Sequence, residues 1–147
     1  MKTILYLEDG SYYYGENFGI EGEIGGELTF ITSMTGYQEE LTNPENKNKI
    51  IIMAYPEIGS YGVNSEDVLS DKVHANAIVV RKYNALYSNH RAEKSLGDYL
   101  IDNNTYGVTG IDTRAIISKI RDKKNVKGII SNVDFNLDSL NSKLRKK

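Results

Sequence analysis

Few side chains in this 147-residue chain are suited to chemistry, and their spacing restricts them further. There are two histidines, His74 and His90, and no cysteine. Without cysteine there is no thiolate nucleophile, no thiolate metal site and no disulfide. Two histidines so far apart are a weak metal signal, and a half-buried structural role suits each. Ser33 lacks the Gly-x-Ser-x-Gly frame of a nucleophile elbow. Glu8-Asp9 and Glu66-Asp67 are adjacent carboxylates in presumed turns, where they are solvated or cap the backbone, and neither pair is placed for acid–base work. Gly19, Gly22, Gly25 and Gly26 do not spell a phosphate-binding loop. No Gly-Lys-Ser/Thr follows them, and a strand stands where a helix N-terminus would be needed. They read as turns in a tight connection.

The remaining candidate is a loop. Ser33-Met34-Thr35-Gly36-Tyr37-Gln38-Glu39-Glu40-Leu41-Thr42-Asn43-Pro44 is polar and aromatic, and it lies between two strand-like apolar segments. Such a stretch adds little to a core, and loops held between rigid elements tend to carry function. A second long polar stretch, 57–71, has the same character.

The elements that must position these loops follow from pattern. Thr3–Leu7 and Ser11–Gly15 flank Asp9-Gly10, a hairpin-turn pair, and Glu16–Ile20 extends the sheet. Glu27–Thr32 is a strand. Tyr37–Leu41 forms one helical turn before Pro44. Ile50–Tyr55 is a continuous apolar run, as in a strand buried on both faces. Lys72–Val80 is the next strand. Glu93–Asp102 is a helix with Leu96, Tyr99 and Leu100 on one stripe, closed by Asn103-Asn104. Tyr106–Gly110 is a short strand. Asp112 or Thr113 caps a second helix that runs to about Lys123 and buries Ile116, Ile117 and Ile120. Val126–Ser131 returns as a strand, and Leu137, Leu140 and Leu144 mark a marginal last helix. About eight strands and two good helices predict an α/β fold rich in β, with the helices on one side.

Composition fits one domain with a real core: 39% apolar and 26% charged residues. The net charge of −2 argues against a nucleic-acid partner, and the basic terminus around Lys143 and Arg145 is solvated. No run reaches the roughly 20 apolar residues of a membrane span, and the start lacks a signal-peptide core. A cytoplasmic protein is expected.

Several stretches carry a resemblance. These are Leu7–Gly10, Gly26-Glu27, Thr32–Glu39, Tyr55–Gly59, Tyr61–Asn64, Val73–Ala75, Arg91–Glu93, Ile111–Arg114 and Gly128–Ile130. In this order they resemble the N-terminal half of the small subunit of glutamine-dependent carbamoyl phosphate synthetase, from about residue 3 to 132. The resemblance implies a swivelling β/β/α domain over 1–133. It implies that 134–147 begins the connection to a glutamine amidotransferase domain absent from this chain. That second domain would hold a cysteine-histidine-glutamate triad and pass ammonia to a large subunit. The large subunit would use two ATP, with magnesium, and bicarbonate to make carbamoyl phosphate for arginine and pyrimidine synthesis. This domain would bind no cofactor and would be non-catalytic. Its partners would be the amidotransferase domain, the large subunit, and glutamine at the domain boundary.

Residue roles carry over in three places. Relatives commonly run Thr-Asp-Pro-Ser-Tyr, and that serine reaches the glutamine site. Here Thr42-Asn43-Pro44-Glu45-Asn46 puts Glu45 in its place, either pairing with glutamine's amino group, lending only backbone, or facing solvent. Ser33 matches a position near the ammonia path, or else its hydroxyl satisfies a turn. Met34, Thr35, Gly36, Tyr37, Gln38 and Glu39 make an interface loop. Because swivelling domains also include phosphohistidine carriers, an independent binding or carrier module using His74 is the alternative.

Overall fold

The computed structural model describes residues 1–32, 37–54, 72–83, 95–123 and 125–145. β1 (Lys2–Leu7) and β2 (Tyr12–Asn17) form the expected antiparallel hairpin. Gly10 takes φ 93°, which a side chain disfavours, and Asp9 Oδ1 accepts a hydrogen bond from Ser11 N at 2.9 Å. β3 (Glu23–Ile31) pairs in parallel with β4 (Lys49–Met53), which pairs in parallel with β5 (Ala77–Val79). β6 (Tyr106–Thr109) lies between β5 and β2, and β7 (Lys127–Ser131) joins β3 to β1. The order β1-β2-β6-β5-β4-β3-β7 therefore closes into a barrel, and none of its strands ends a sheet.

Alternation along the strands sorts side chains into the lumen and onto the outer wall. Ile50 and Ile52 join a buried cluster with Leu5, Leu28, Val79, Val108 and Ile130, drawn from around the wall. Ile51 and Met53, one residue out of step, belong to a different cluster outside. This is why the run at 50–53 is apolar without a break: both its faces are covered. The helix α3 (Thr113–Ile120) closes the lumen, sinking Ile116, Ile117 and Ile120 into the first cluster. Asp112 is its N-cap and accepts from Ala115 N at 3.2 Å.

The other helices coat the outer wall. α1 (Tyr37–Thr42) and α2 (Leu96–Asp102) cover Ile51, Met53, Ile78 and Val80 with Tyr37, Leu41, Leu96 and Leu100. α4 (Leu137–Arg145) covers Ile4, Tyr6 and Ile129 with Leu140 and Leu144, while Leu137 stays exposed. Helices thus lie on two outer faces and across the lumen, where a single side was expected.

Three local expectations differ, the first two for non-local reasons and the third because of a local cap. Gly25 and Gly26 lie inside β3, which starts four residues before Glu27. A Cβ on Gly26 would stand 2.6 Å from the Asn48 carbonyl oxygen, so the glycine admits a neighbouring backbone and makes no turn. The strand predicted over 72–80 shrinks to Ala77–Val79, because the preceding backbone binds elsewhere. His74 N donates to Leu41 O at 2.8 Å, and Ala75 N donates to the same oxygen at 3.2 Å. The helix predicted from Glu93 starts at Leu96, with Ser95 Oγ accepting from Asp98 N at 3.2 Å.

Candidate functional site

Ser33, Met34, Thr35 and Gly36 lie outside the described residues, as do His90 and Glu66-Asp67. The described part of the motif starts at α1, and the helix splits it in two. Tyr37 is buried among Met53, Ala75 and Leu96. Gln38 is buried too, and its amide bonds the Tyr99 phenol of α2. Burial pushes the Tyr99 phenol up from its ordinary value, and the Gln38 bond opposes part of that rise. Thr42 Oγ1 returns to Gln38 O at 2.9 Å. Two of the six residues expected to form an interface loop thus anchor α1 to the barrel. Glu39, the next residue along the helix, is exposed.

The carboxylates downstream differ in the same way. Glu40 is half-buried, and its Oε2 accepts from Asn46 Nδ2 at 3.0 Å. Asn46 Nδ2 also reaches Glu40 O at 2.8 Å, which locks the 3₁₀ turn Pro44–Asn46 under α1. Asn43 caps that turn, its Oδ1 accepting from Glu45 N at 3.0 Å. Glu45 stands at the turn's outer corner, exposed, and its carboxylate has no hydrogen-bond or ion-pair partner among the described residues. His74 is half-buried, and its backbone is held on both sides, N–H to Leu41 O and C=O from Asn48 N at 3.2 Å. Among the described residues no group of three His, Asp or Glu side chains is placed to hold a metal. The arrangement offers two free carboxylates, Glu39 on α1 and Glu45 on the turn, and among the described residues it contains no paired acid and base.

A second feature is the bare outer face of β2. Tyr12 and Tyr14 are 45% and 46% exposed, with ring centroids 5.7 Å apart. The Lys2 ammonium lies 4.3 Å from the Tyr14 ring centroid and 5.5 Å from that of Phe135. Exposed aromatics gathered on a flat sheet face are common where a protein meets a partner.

With this geometry in hand, the likeness to known proteins is direct. Residues 5–130 match the model of the family described as "Carbamoyl-phosphate synthase small chain, CPSase domain". The chain belongs to this family. The carbamoyl phosphate synthase small chain of Aquifex aeolicus is 54% identical over 143 residues, covering 97% of this chain and 38% of that protein. The small chain of Thermotoga maritima is 51% identical over 139 residues, covering 95% and 36%. That of Syntrophotalea carbinolica is 47% identical over 146 residues, covering 99% and 39%. The chain therefore spans less than two-fifths of the length of these relatives. A solved aminopeptidase from Aneurinibacillus sp. strain AM-1 overlays with a TM-score of 0.49 and 13% identity over 88% of this chain and 30% of that one, too weak a likeness to bear on fold or function.

Within the family's pattern, Tyr37 and Gln38 hold the motif in place, and the Glu39 and Glu45 carboxylates are left free among the described residues. The sequence hid this division. A buried glutamine looks like a surface residue until its partner, Tyr99, is known, and Tyr99 is 61 positions away in the chain. Among the described residues no helix is long and apolar enough to cross a membrane.

Proposed function

We propose that this chain is the N-terminal scaffold and interface domain of the glutaminase subunit of carbamoyl phosphate synthase, of the swivelling β/β/α type. The observation that carries the reading is the family match over residues 5–130, almost the whole barrel. In this reading residues 1–133 are the domain, and 134–147 lead toward an amidotransferase domain that supplies the cysteine nucleophile. That domain releases ammonia from glutamine, and a large subunit holding ATP and magnesium consumes it in the cytoplasm, with bicarbonate, to make carbamoyl phosphate. The chain itself has no cysteine and turns over nothing alone.

Its roles are positional. The loop 33–39 faces the partner domain, with Tyr37 and Gln38 as its fixed base. Ser33 stands by the ammonia path. Glu45 presents a carboxylate to the ammonium group of glutamine at the domain boundary, an attraction supported by its place in the motif and by its having no partner among the described residues. The bare Tyr12–Tyr14 face supplies contact area for an assembly.

Co-expression tests this. The chain alone releases no ammonia from glutamine, and co-expression with the remainder of a small subunit and a large subunit restores glutamine-dependent carbamoyl phosphate synthesis. In that assembly Glu45→Ala raises KM for glutamine more than it lowers kcat. Ammonia release by the purified chain, or a Glu45→Ala assembly unchanged in KM, would overturn the respective part of the reading.

A further inference from the structure

A recess of about 480 Å³ opens on the barrel wall where β3, the turn into β4 and the start of β7 meet. Its floor is Gly25–Gly26, where the missing side chains leave the β3 backbone bare. Lys47 and Lys49 line one side and Lys127 the other, with Glu27 the single carboxylate among the lining residues. Three lysines thus face one glutamate, in a chain whose net charge is −2. Register explains the gathering: Glu27 on β3 lies opposite Lys49 of β4 on one flank and opposite Lys127 of β7 on the other. Lys47 and Lys49 form no ion pair among the described residues. Lys47 and Lys49 are like charges held near each other, and a bound anion relieves their repulsion.

The surroundings select the kind of anion. Asn48 and Asn76 bring side-chain amides to the rim, and Asn76 Nδ2 is already committed to Gly25 O at 2.9 Å. The volume lies within the roughly 300–1,000 Å³ of small-molecule sites. An acidic peptide has no strand edge to add to here, since β3 is bonded to β4 and to β7 on its two sides. We propose that this recess binds a small molecule carrying a phosphate or carboxylate head, the head seated on Lys47 and Lys49.

Titration of the chain with phenyl phosphate, benzoate, benzyl alcohol and tetraglutamate, followed by amide NMR shifts, tests it. The expected result is saturable shifts at Gly25, Gly26, Asn48 and Lys49 with phenyl phosphate or benzoate, and the stronger of the two identifies the head group. Benzyl alcohol, which lacks the charge, gives none. Lys49→Gln and the pair Lys47→Glu/Lys49→Glu weaken binding at least tenfold, whereas Lys119→Glu, at a different recess, leaves it unchanged. Shifts scattered over the surface, equal weakening by Lys119→Glu, or tetraglutamate binding as tightly as phenyl phosphate would each overturn the proposal. Lys49→Gln keeps a similar shape in β4, so the test survives if the double charge reversal fails to fold.

Discussion

α3 and α4 are similar on paper and opposite in use. Each is a short amphipathic helix of eight or nine residues placed after a strand of the barrel wall. α3 puts three isoleucines into the lumen, in contact with strands from around the wall. α4 puts two leucines on the outside of two strands and adds a polar clamp. In that clamp the Lys143 ammonium lies 3.0 Å from Glu23 and 2.8 Å from Asp134. Asp134 also takes the Ser139 hydroxyl at 2.6 Å, and Glu23 takes that of Ser131 at 2.8 Å. The lesson is that amphipathicity alone does not separate a core helix from a coat. What separates them is whether the covered strands already have a second face to bury. The barrel without α3 has an open lumen, and without α4 it loses one outer layer.

The sharpest break would be equal effects of truncation in the two helices. Ile116→Ala leaves a hole in a closed, packed lumen, which cannot collapse to fill it. Such changes cost about 2–5 kcal/mol, and the upper half of that range is expected here. Leu140→Ala lets α4 shift outward and re-pack, so the lower end of the same range, about 2 kcal/mol, is expected. Chemical denaturation followed by circular dichroism measures both. If Leu140→Ala costs as much as Ile116→Ala, α4 is as much a part of the core as α3.

The wall between the two helices has its own weak point. Gly26→Ala pushes a methyl group against the Asn48 carbonyl, 2.6 Å from its ideal position. Backbone must move, because the closest atom is the main-chain oxygen of Asn48, while the Ile50 and Asn76 side chains stand farther off at 3.3 and 3.4 Å. Overpacking of this kind costs about 1–3 kcal/mol. The loss should appear as faster hydrogen exchange in β3 and β4 while the α4 amides keep their protection. Loss of protection spread equally through α4 would mean the coat depends on the wall's fine geometry more than its two leucine contacts suggest.

Local patterns announced most of the elements. The Asp9-Gly10 hairpin, the apolar run of β4, the Asp112 cap and the Ile116-Ile117-Ile120 stripe are all set by near neighbours in the chain, and all appear as expected. What stayed hidden depends on distant partners. Gly26 looked like a turn residue because nothing nearby in the chain shows that Asn48 will press against it. The segment before Ala77 looked like strand because its apolar and branched residues do not show that Leu41 will accept the His74 amide. Barrel closure rests on the β2–β6, β3–β7 and β1–β7 pairings, each between residues far apart in the chain, such as Glu16 with Thr109, Glu23 with Ser131 and Ile4 with Ser131. At the candidate site the motif was visible, but which of its members were anchors and which were free depended on Tyr99, Asn46 and Asn43.

The smallest expected effect tests the clamp itself. The Lys143 hydrogen bond, with those from Ser139 and the Asn136 amide, holds the Asp134 carboxyl down at about 2 from an ordinary 3.8. A carboxyl lowered in the folded state favours folding above its ordinary value and loses that contribution as pH falls through the lowered one. The clamp is therefore intact above about 3.8 and released as pH falls through about 2. Both charges face water, so the effect is modest and screened by salt. Backbone chemical shifts of α4 should move toward coil values across that window, ahead of the lumen residues. Lys143→Met keeps the stem that lies along the helix and removes the charge, so it should flatten this pH dependence while the lumen signals stay as in the parent. If α4 in the parent stays docked at pH 2, or if Lys143→Met titrates like the parent, the two leucines hold the helix alone, and α4 differs from α3 only in how much it buries.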